Sequence, residues 1–112
     1  MKHVTYGENS LLMSDASADA LIQYAAALGA ENTADTVTLS AIRLEGNEVE
    51  VTFLLNPATA LMVESATGVA TPPPNDEAIA SLRARTERLR HPAPAQPQFF
   101  DDEIPDDLRG LA

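Results

Sequence analysis

The sequence predicts a small α+β domain, an antiparallel sheet with one helix on one face, followed by a proline-rich tail that carries a second, short helix. Three observations lead there. Alternating apolar and β-branched residues dominate residues 1–65, a stretch near 15–28 has helical apolar spacing, and all but one of the eight prolines fall after residue 66. The element order is β-β-α-β-β-β within residues 1–66, and residues 67–112 form an extended, partly disordered acidic tail with a helix at about 76–90.

In residues 2–6, Val4 and Tyr6 share one face of an alternating strand, Gly7-Glu8-Asn9 supplies turn chemistry, and residues 10–13 return as a second strand. Ser14 or Asp15 then offers an oxygen to the free amides of a helix start, with Asp15 and Asp19 in the early turns where the macrodipole favours negative charge. Ala18, Leu21, Ile22, Ala25 and Leu28 recur at helical spacing, and Gly29 is a natural stop. Residues 36–45 and 48–55 make a hairpin through a two-residue Gly46-Asn47 loop. That loop sets a register. Glu45 faces Glu48, Leu44 faces Val49 and Ile42 faces Val51, so Ile42, Leu44, Val49, Val51, Phe53 and Leu55 line the face under the helix. Asn56-Pro57-Ala58-Thr59 turns the chain into a last strand at 60–64.

In this register the opposite face carries a second apolar patch, Val37, Leu39, Ala41 and Leu54, which a solvated face does not need. A domain of about 65 residues buries only about 60 % of its unfolded surface, so such a patch calls for a cover. The expected cover is a second copy, and Val37, Leu39, Ala41 and Leu54 form the candidate dimer face of a homodimer; the alternative is the tail helix folding back. That helix has Asn75 as cap behind three prolines, Asp76 and Glu77 in its first turn and Arg88 and Arg90 in its last. Ile79, Leu82, Thr86 and Leu89 make one stripe, so Ile79, Leu82 and Leu89 form a narrow seam suited to docking.

Composition limits the chemistry. The absence of cysteine removes disulfides, thiolate metal sites and thiol nucleophiles, and fits a cytoplasmic protein. A net charge of −10 disfavours direct contact with nucleic acid or anionic membrane, and no apolar run approaches the roughly 18 residues of a membrane span. Phosphate-binding and nucleophile-elbow motifs are missing, and the two histidines, His3 and His91, lie far apart without local acidic ligands. No catalytic residue, cofactor or metal is therefore expected, and the acidic runs 101–103 and 106–107 read as solvated charge lacking the EF-hand pattern.

The most suggestive segment is Phe99-Phe100-Asp101-Asp102-Glu103-Ile104-Pro105-Asp106-Asp107-Leu108, at the end of a proline spacer. Apolar side chains held in solution by flanking acids have the composition of a docking peptide, with Phe99, Phe100, Ile104 and Leu108 as anchors. The other reading is that Phe99 and Phe100 pack back on the domain and complete its core.

The stretch from Tyr6-Gly7 through Asp15 to Phe53-Leu54-Leu55-Asn56-Pro57-Ala58-Thr59-Ala60-Leu61 resembles short uncharacterised actinobacterial proteins, some of which carry automatic names such as ATP-dependent DNA ligase. A ligase would use an adenylated lysine in a K-x-D-G motif. The single lysine here is Lys2, followed by His3-Val4-Thr5, so the resemblance implies no ligation chemistry. The expected function is a non-enzymatic protein-interaction module with an unidentified protein partner. The alternative is an acidic inhibitor, antitoxin-like or a DNA mimic, motivated by nine acids against Lys2 and Arg43 in residues 1–66, a net charge of −7.

Overall fold

Alternation in the first residues produces β1 (Lys2–Tyr6) and β2 (Asn9–Met13), joined by Gly7-Glu8 with Gly7 at φ 60, the conformation a two-residue hairpin needs and a side chain resists. The structure, a computed structural model, describes residues 1–68 and 70–91. It continues with α1 (Asp15–Ala30), β3 (Asp35–Arg43), β4 (Glu48–Leu55), β5 (Leu61–Ser65) and α2 (Asp76–Arg90). The strands form one antiparallel sheet in the order β4-β3-β2-β1-β5. The α+β class and the element order within residues 1–66 agree with the sequence reading.

The start of α1 is local chemistry. Ser14 is the cap, its Oγ accepting from the Ser17 N–H at 3.1 Å. Gly29 does not stop the helix. Asn32 takes the left-handed conformation instead, at φ 54, while the Asn32 N–H donates to the Gly29 carbonyl and the Thr33 N–H to the Leu28 carbonyl. This paired closure satisfies the last free carbonyls, and asparagine is the residue after glycine that best tolerates it.

The β3–β4 hairpin departs from expectation by three residues. Asp35 pairs with Leu55 and Ile42 with Glu48, and the loop is longer than two residues, closed by Arg43 N–H to Asn47 O and Gly46 N–H to Arg43 O, both 2.8 Å. An odd slip turns every side chain of β3 to the other face. Val37, Leu39 and Ala41 thereby join Val49, Val51, Phe53 and Leu55 on one apolar face, leaving Thr36, Thr38, Thr52, Glu48 and Glu50 on the other. Burying all seven apolar side chains together outweighs the small entropic cost of two further loop residues.

The expected dimer face is therefore not a surface. Val37, Leu39 and Ala41 are buried in the core at 5, 1 and 0 % exposure, whereas Leu54 stands on the opposite face, half exposed. Ile42 and Leu44 also leave the positions expected under the helix. Ile42 pairs with Leu12 on the outer face, and Leu44 is exposed in the loop.

The sheet curls around this apolar face. Tyr6 on β1 and Phe53 on β4, from strands that are not neighbours, meet edge to face at 5.5 Å, and the Tyr6 hydroxyl donates to the Leu54 carbonyl at 2.6 Å. Val4, Leu11, Met13, Leu39, Phe53 and Leu55 fill the hollow, and Leu21, Tyr24 and Leu28 of α1 close it.

Helix α2 belongs to this same core, so the folded unit runs to Arg90 and does not end at residue 66. Ile79 and Leu82 are buried beside α1, and Leu89 is half buried against the same cluster. The seam Ile79, Leu82 and Leu89 thus docks within the chain, which is the alternative cover weighed from the sequence. Asn75 does not cap α2 with its side chain. Its Oδ1 accepts from the Ser40 N–H, and its Nδ2 donates to the Ser40 carbonyl and to Ser17 Oγ, each at 2.9 Å. β2 ends where β3 still has an unpaired edge, and the Asn75 amide takes the place of the missing strand there.

Candidate functional site: a seam in the curled sheet

The curl brings the β1–β2 hairpin over the free edge of β4 without closing the ladder. Because Asn75 holds both backbone groups of Ser40, those groups point away from β4, and antiparallel alternation turns the partners Glu50, Thr52 and Leu54 outward on the other side of the hairpin. The Leu54 carbonyl confirms the direction, since Tyr6 and Thr59 Oγ1 donate to it. The Thr52 N–H and C=O therefore face the seam.

A cavity of about 220 Å³ lies there, lined by Tyr6, Asn9, Leu11, Arg43, Val51, Thr52 and Phe53. Leu11 and Phe53 are fully buried and form its floor, Val51 is half buried, and Tyr6 supplies an aromatic wall. Arg43, across from Leu11 in the β2–β3 register, makes no ion pair among the described residues. An apolar hole, an unpaired strand edge and a single cation thus share one place. Such a place accepts an extended segment through backbone pairing, with one apolar side chain in the hole and an acid on the guanidinium.

A second polar cluster ties the helices to the sheet. The Tyr24 hydroxyl donates to Asp35 Oδ2, Arg85 Nη1 reaches the same oxygen at 3.1 Å, and the guanidinium lies 5.8 Å from the Tyr24 ring centroid. Donation from Tyr24, then from the Thr36 N–H, with Arg85 adding its charge, holds the Asp35 carboxyl below the usual carboxylate range against the opposing effect of burial. Burial, and next the Asp35 carboxylate, push the Tyr24 phenol up, which keeps it a donor. Three elements meet here, and the cluster acts as an anchor.

A depressed carboxyl pKa contributes stability above the unfolded value of about 4 and loses it as pH falls toward the folded value. The urea midpoint of Asp35→Asn is accordingly expected below that of the parent chain at neutral pH, with the gap closing below about pH 4. Unfolding curves of both chains across that range check this, and a gap constant with pH would contradict it.

Few of the residues singled out from sequence enter the seam. Val37, Leu39, Ala41, Ile79 and Leu82 are core, Leu54 contributes its carbonyl alone, and Phe99, Phe100, Ile104 and Leu108 lie outside the described residues. His3 sits on β1, and His91 lies 3.9 Å from Glu87 at the end of α2. Among the described residues no three of His, Asp or Glu converge as a metal site, and no helix is long and apolar enough to cross a membrane. Sequence reasoning missed Tyr6, Asn9, Leu11 and Arg43 as a group because they come from three strands. The available signal was Arg43, the one Lys or Arg between Lys2 and Arg83. Comparisons with protein-family profiles, with curated proteins and with solved structures found nothing that matches this chain.

Proposed function

We propose that this protein is a non-enzymatic interaction module that holds an extended segment of a protein partner in the seam between β4 and the β1–β2 hairpin. Its own acidic segment with Phe99, Phe100, Ile104 and Leu108 is a second docking element. The observation that supports this reading is the coincidence of the Thr52 backbone edge, the Leu11–Val51–Phe53 floor and Arg43 around one small cavity. A hole of this size suits one side chain, and the strand edge supplies backbone pairing that tolerates many sequences, so recognition rests on an aromatic or aliphatic anchor next to an acid.

The test is titration of the full chain with short peptides that carry Phe followed by Asp, monitored by proton–nitrogen NMR. Shifts centred on Tyr6, Asn9, Arg43, Thr52 and Phe53, weakened about fivefold by replacing the Asp with Asn, are expected. If no such peptide moves those signals at millimolar concentration, either in the full chain or in a Phe99→Ala/Phe100→Ala chain, the reading falls.

A further inference from the structure

We propose that the occupant of the seam in the free protein is the protein's own segment at residues 98–103, bound within the same chain. This rests on the interaction-module reading and names the first ligand of its site. Three observations carry it.

The first is chemical match. Phe99-Phe100 followed by Asp101-Asp102-Glu103 presents two aromatic side chains and then three acids, and the cavity presents an apolar floor edged by Tyr6 and then Arg43. Phe53 is the third phenylalanine and already part of the floor, so aromatic side chain next to acid occurs in this chain at Phe100-Asp101 and nowhere else. The −7 charge of residues 1–66 opposes the acids at long range, but beyond about 8 Å it is screened at physiological salt, and Arg43 governs the contact locally.

The second is reach. Arg85 meets Asp35, the partner of Leu55, one residue from the Leu54 carbonyl that Tyr6 holds at the seam. Arg90 lies five residues further along α2, about 8 Å. Thr52 lies three residues back from Leu55 along β4, about 10 Å, and crossing from α2 over β3 and β4 to the free edge of β4 is about 20 Å at right angles to that, so the straight span from Arg90 to the Thr52 edge is about 27 Å. Seven residues lie between His91 and Phe99, three of them proline, so nine steps lead from Arg90 to Phe99, and a chain of that length in the extended proline conformation spans about 28 Å.

The third is effective concentration. A segment tethered by a spacer that matches the span experiences its site at about millimolar concentration, above that of any second copy at micromolar protein. A partner segment must then displace residues 98–103 before it binds.

The experiment compares proton–nitrogen spectra of the full chain with those of a Phe99→Ala/Phe100→Ala chain and of that chain with Arg43→Gln added. The double variant is expected to shift the amide signals of Tyr6, Asn9, Arg43, Thr52 and Phe53, to leave those of α1 unmoved, and to give the same difference on dilution. A synthetic peptide of residues 97–104 is expected to bind the double variant about tenfold more tightly than the parent chain, whose seam is filled, and Arg43→Gln added to the double variant is expected to weaken that peptide about fivefold. Seam signals that are identical in parent and double variant overturn the proposal, as do differences that vanish on dilution, which assign the segment to a second copy. If the double variant is silent but the added peptide still binds at the seam, this inference fails alone. If the peptide does not bind either, the interaction-module reading fails with it.

Discussion

A chain stopped after Ser65 is expected not to fold cooperatively, whereas a chain stopped after His91 is expected to keep a single cooperative urea transition. The shorter chain loses Ile79 and Leu82, both buried against α1, together with the half-buried Leu89. Removing one buried Leu or Ile side chain costs about 2–5 kcal/mol, and the whole stability of a folded unit of this size is about 5–13 kcal/mol. Losing α2 also reopens Leu21, Tyr24 and Leu28 to water on the side where α2 lay, and frees Ser17 and Ser40 of their Asn75 contacts. The sum reaches the total. Leu82→Ala within the full chain gives the graded version, about 2–5 kcal/mol, because Leu82 is nearly inaccessible at 2 % exposure. Circular dichroism melts of the three chains decide the matter, and a chain stopped after Ser65 that unfolds at the parent's midpoint would show that α2 is dispensable.

Asn75→Ala is expected to cost about 2–4 kcal/mol, more than any other polar substitution in the described residues, since it strands three groups at once. The Ser40 N–H and C=O and the Ser17 hydroxyl all bond the Asn75 side chain, and that side chain is itself buried. Ser17 retains a 2.7 Å contact with Ser14 Oγ, so the larger share of the loss falls on the Ser40 backbone. Asn75→Asp separates donor from acceptor. It keeps an oxygen for the Ser40 N–H but sets a carboxylate against the Ser40 carbonyl, which raises the folded pKa of the new group above its unfolded value of about 4. Stability associated with its protonated form is complete below that unfolded value and is lost as pH rises through the folded one. The deficit of Asn75→Asp relative to the parent is therefore expected to be smaller near pH 4 than at pH 7, while that of Asn75→Ala stays level. Urea midpoints at the two pH values check this, and parallel behaviour of the two variants would mean that the Nδ2 donations contribute nothing.

The seam and the Asn75 contact share one structural cause. β2 is shorter than β3, and β4, like β5 at the opposite edge, is free on its outer side, so the five-stranded curled sheet leaves backbone groups unpaired first beside β3 and second along the outer side of β4. Asn75, the residue before α2, fills the first, and Tyr6 covers part of the second at Leu54. Thr52 remains uncovered at the second, and the cavity opens beside it.

Local chemistry legible along the chain sets the elements and their order. Ser14 at the start of α1, Gly7 in the first hairpin, and the prolines with Asp76, Glu77, Arg88 and Arg90 around α2 act within a turn or two of where they stand, so the expected 76–90 helix coincides with Asp76–Arg90. Tertiary structure alone decided the β3–β4 register, the role of Asn75 and the seam. Gly46-Asn47 favours a two-residue turn locally, but the register with Asp35 opposite Leu55 gathers Val37, Leu39 and Ala41 with Phe53 under α1, and that burial depends on residues far along the chain. The stripe Ile79, Leu82 and Leu89 likewise declares an apolar face without saying what covers it. Local signals carry the identity of an element. The partner of each apolar face is chosen by the total area buried, a sum over the whole fold that no single segment contains.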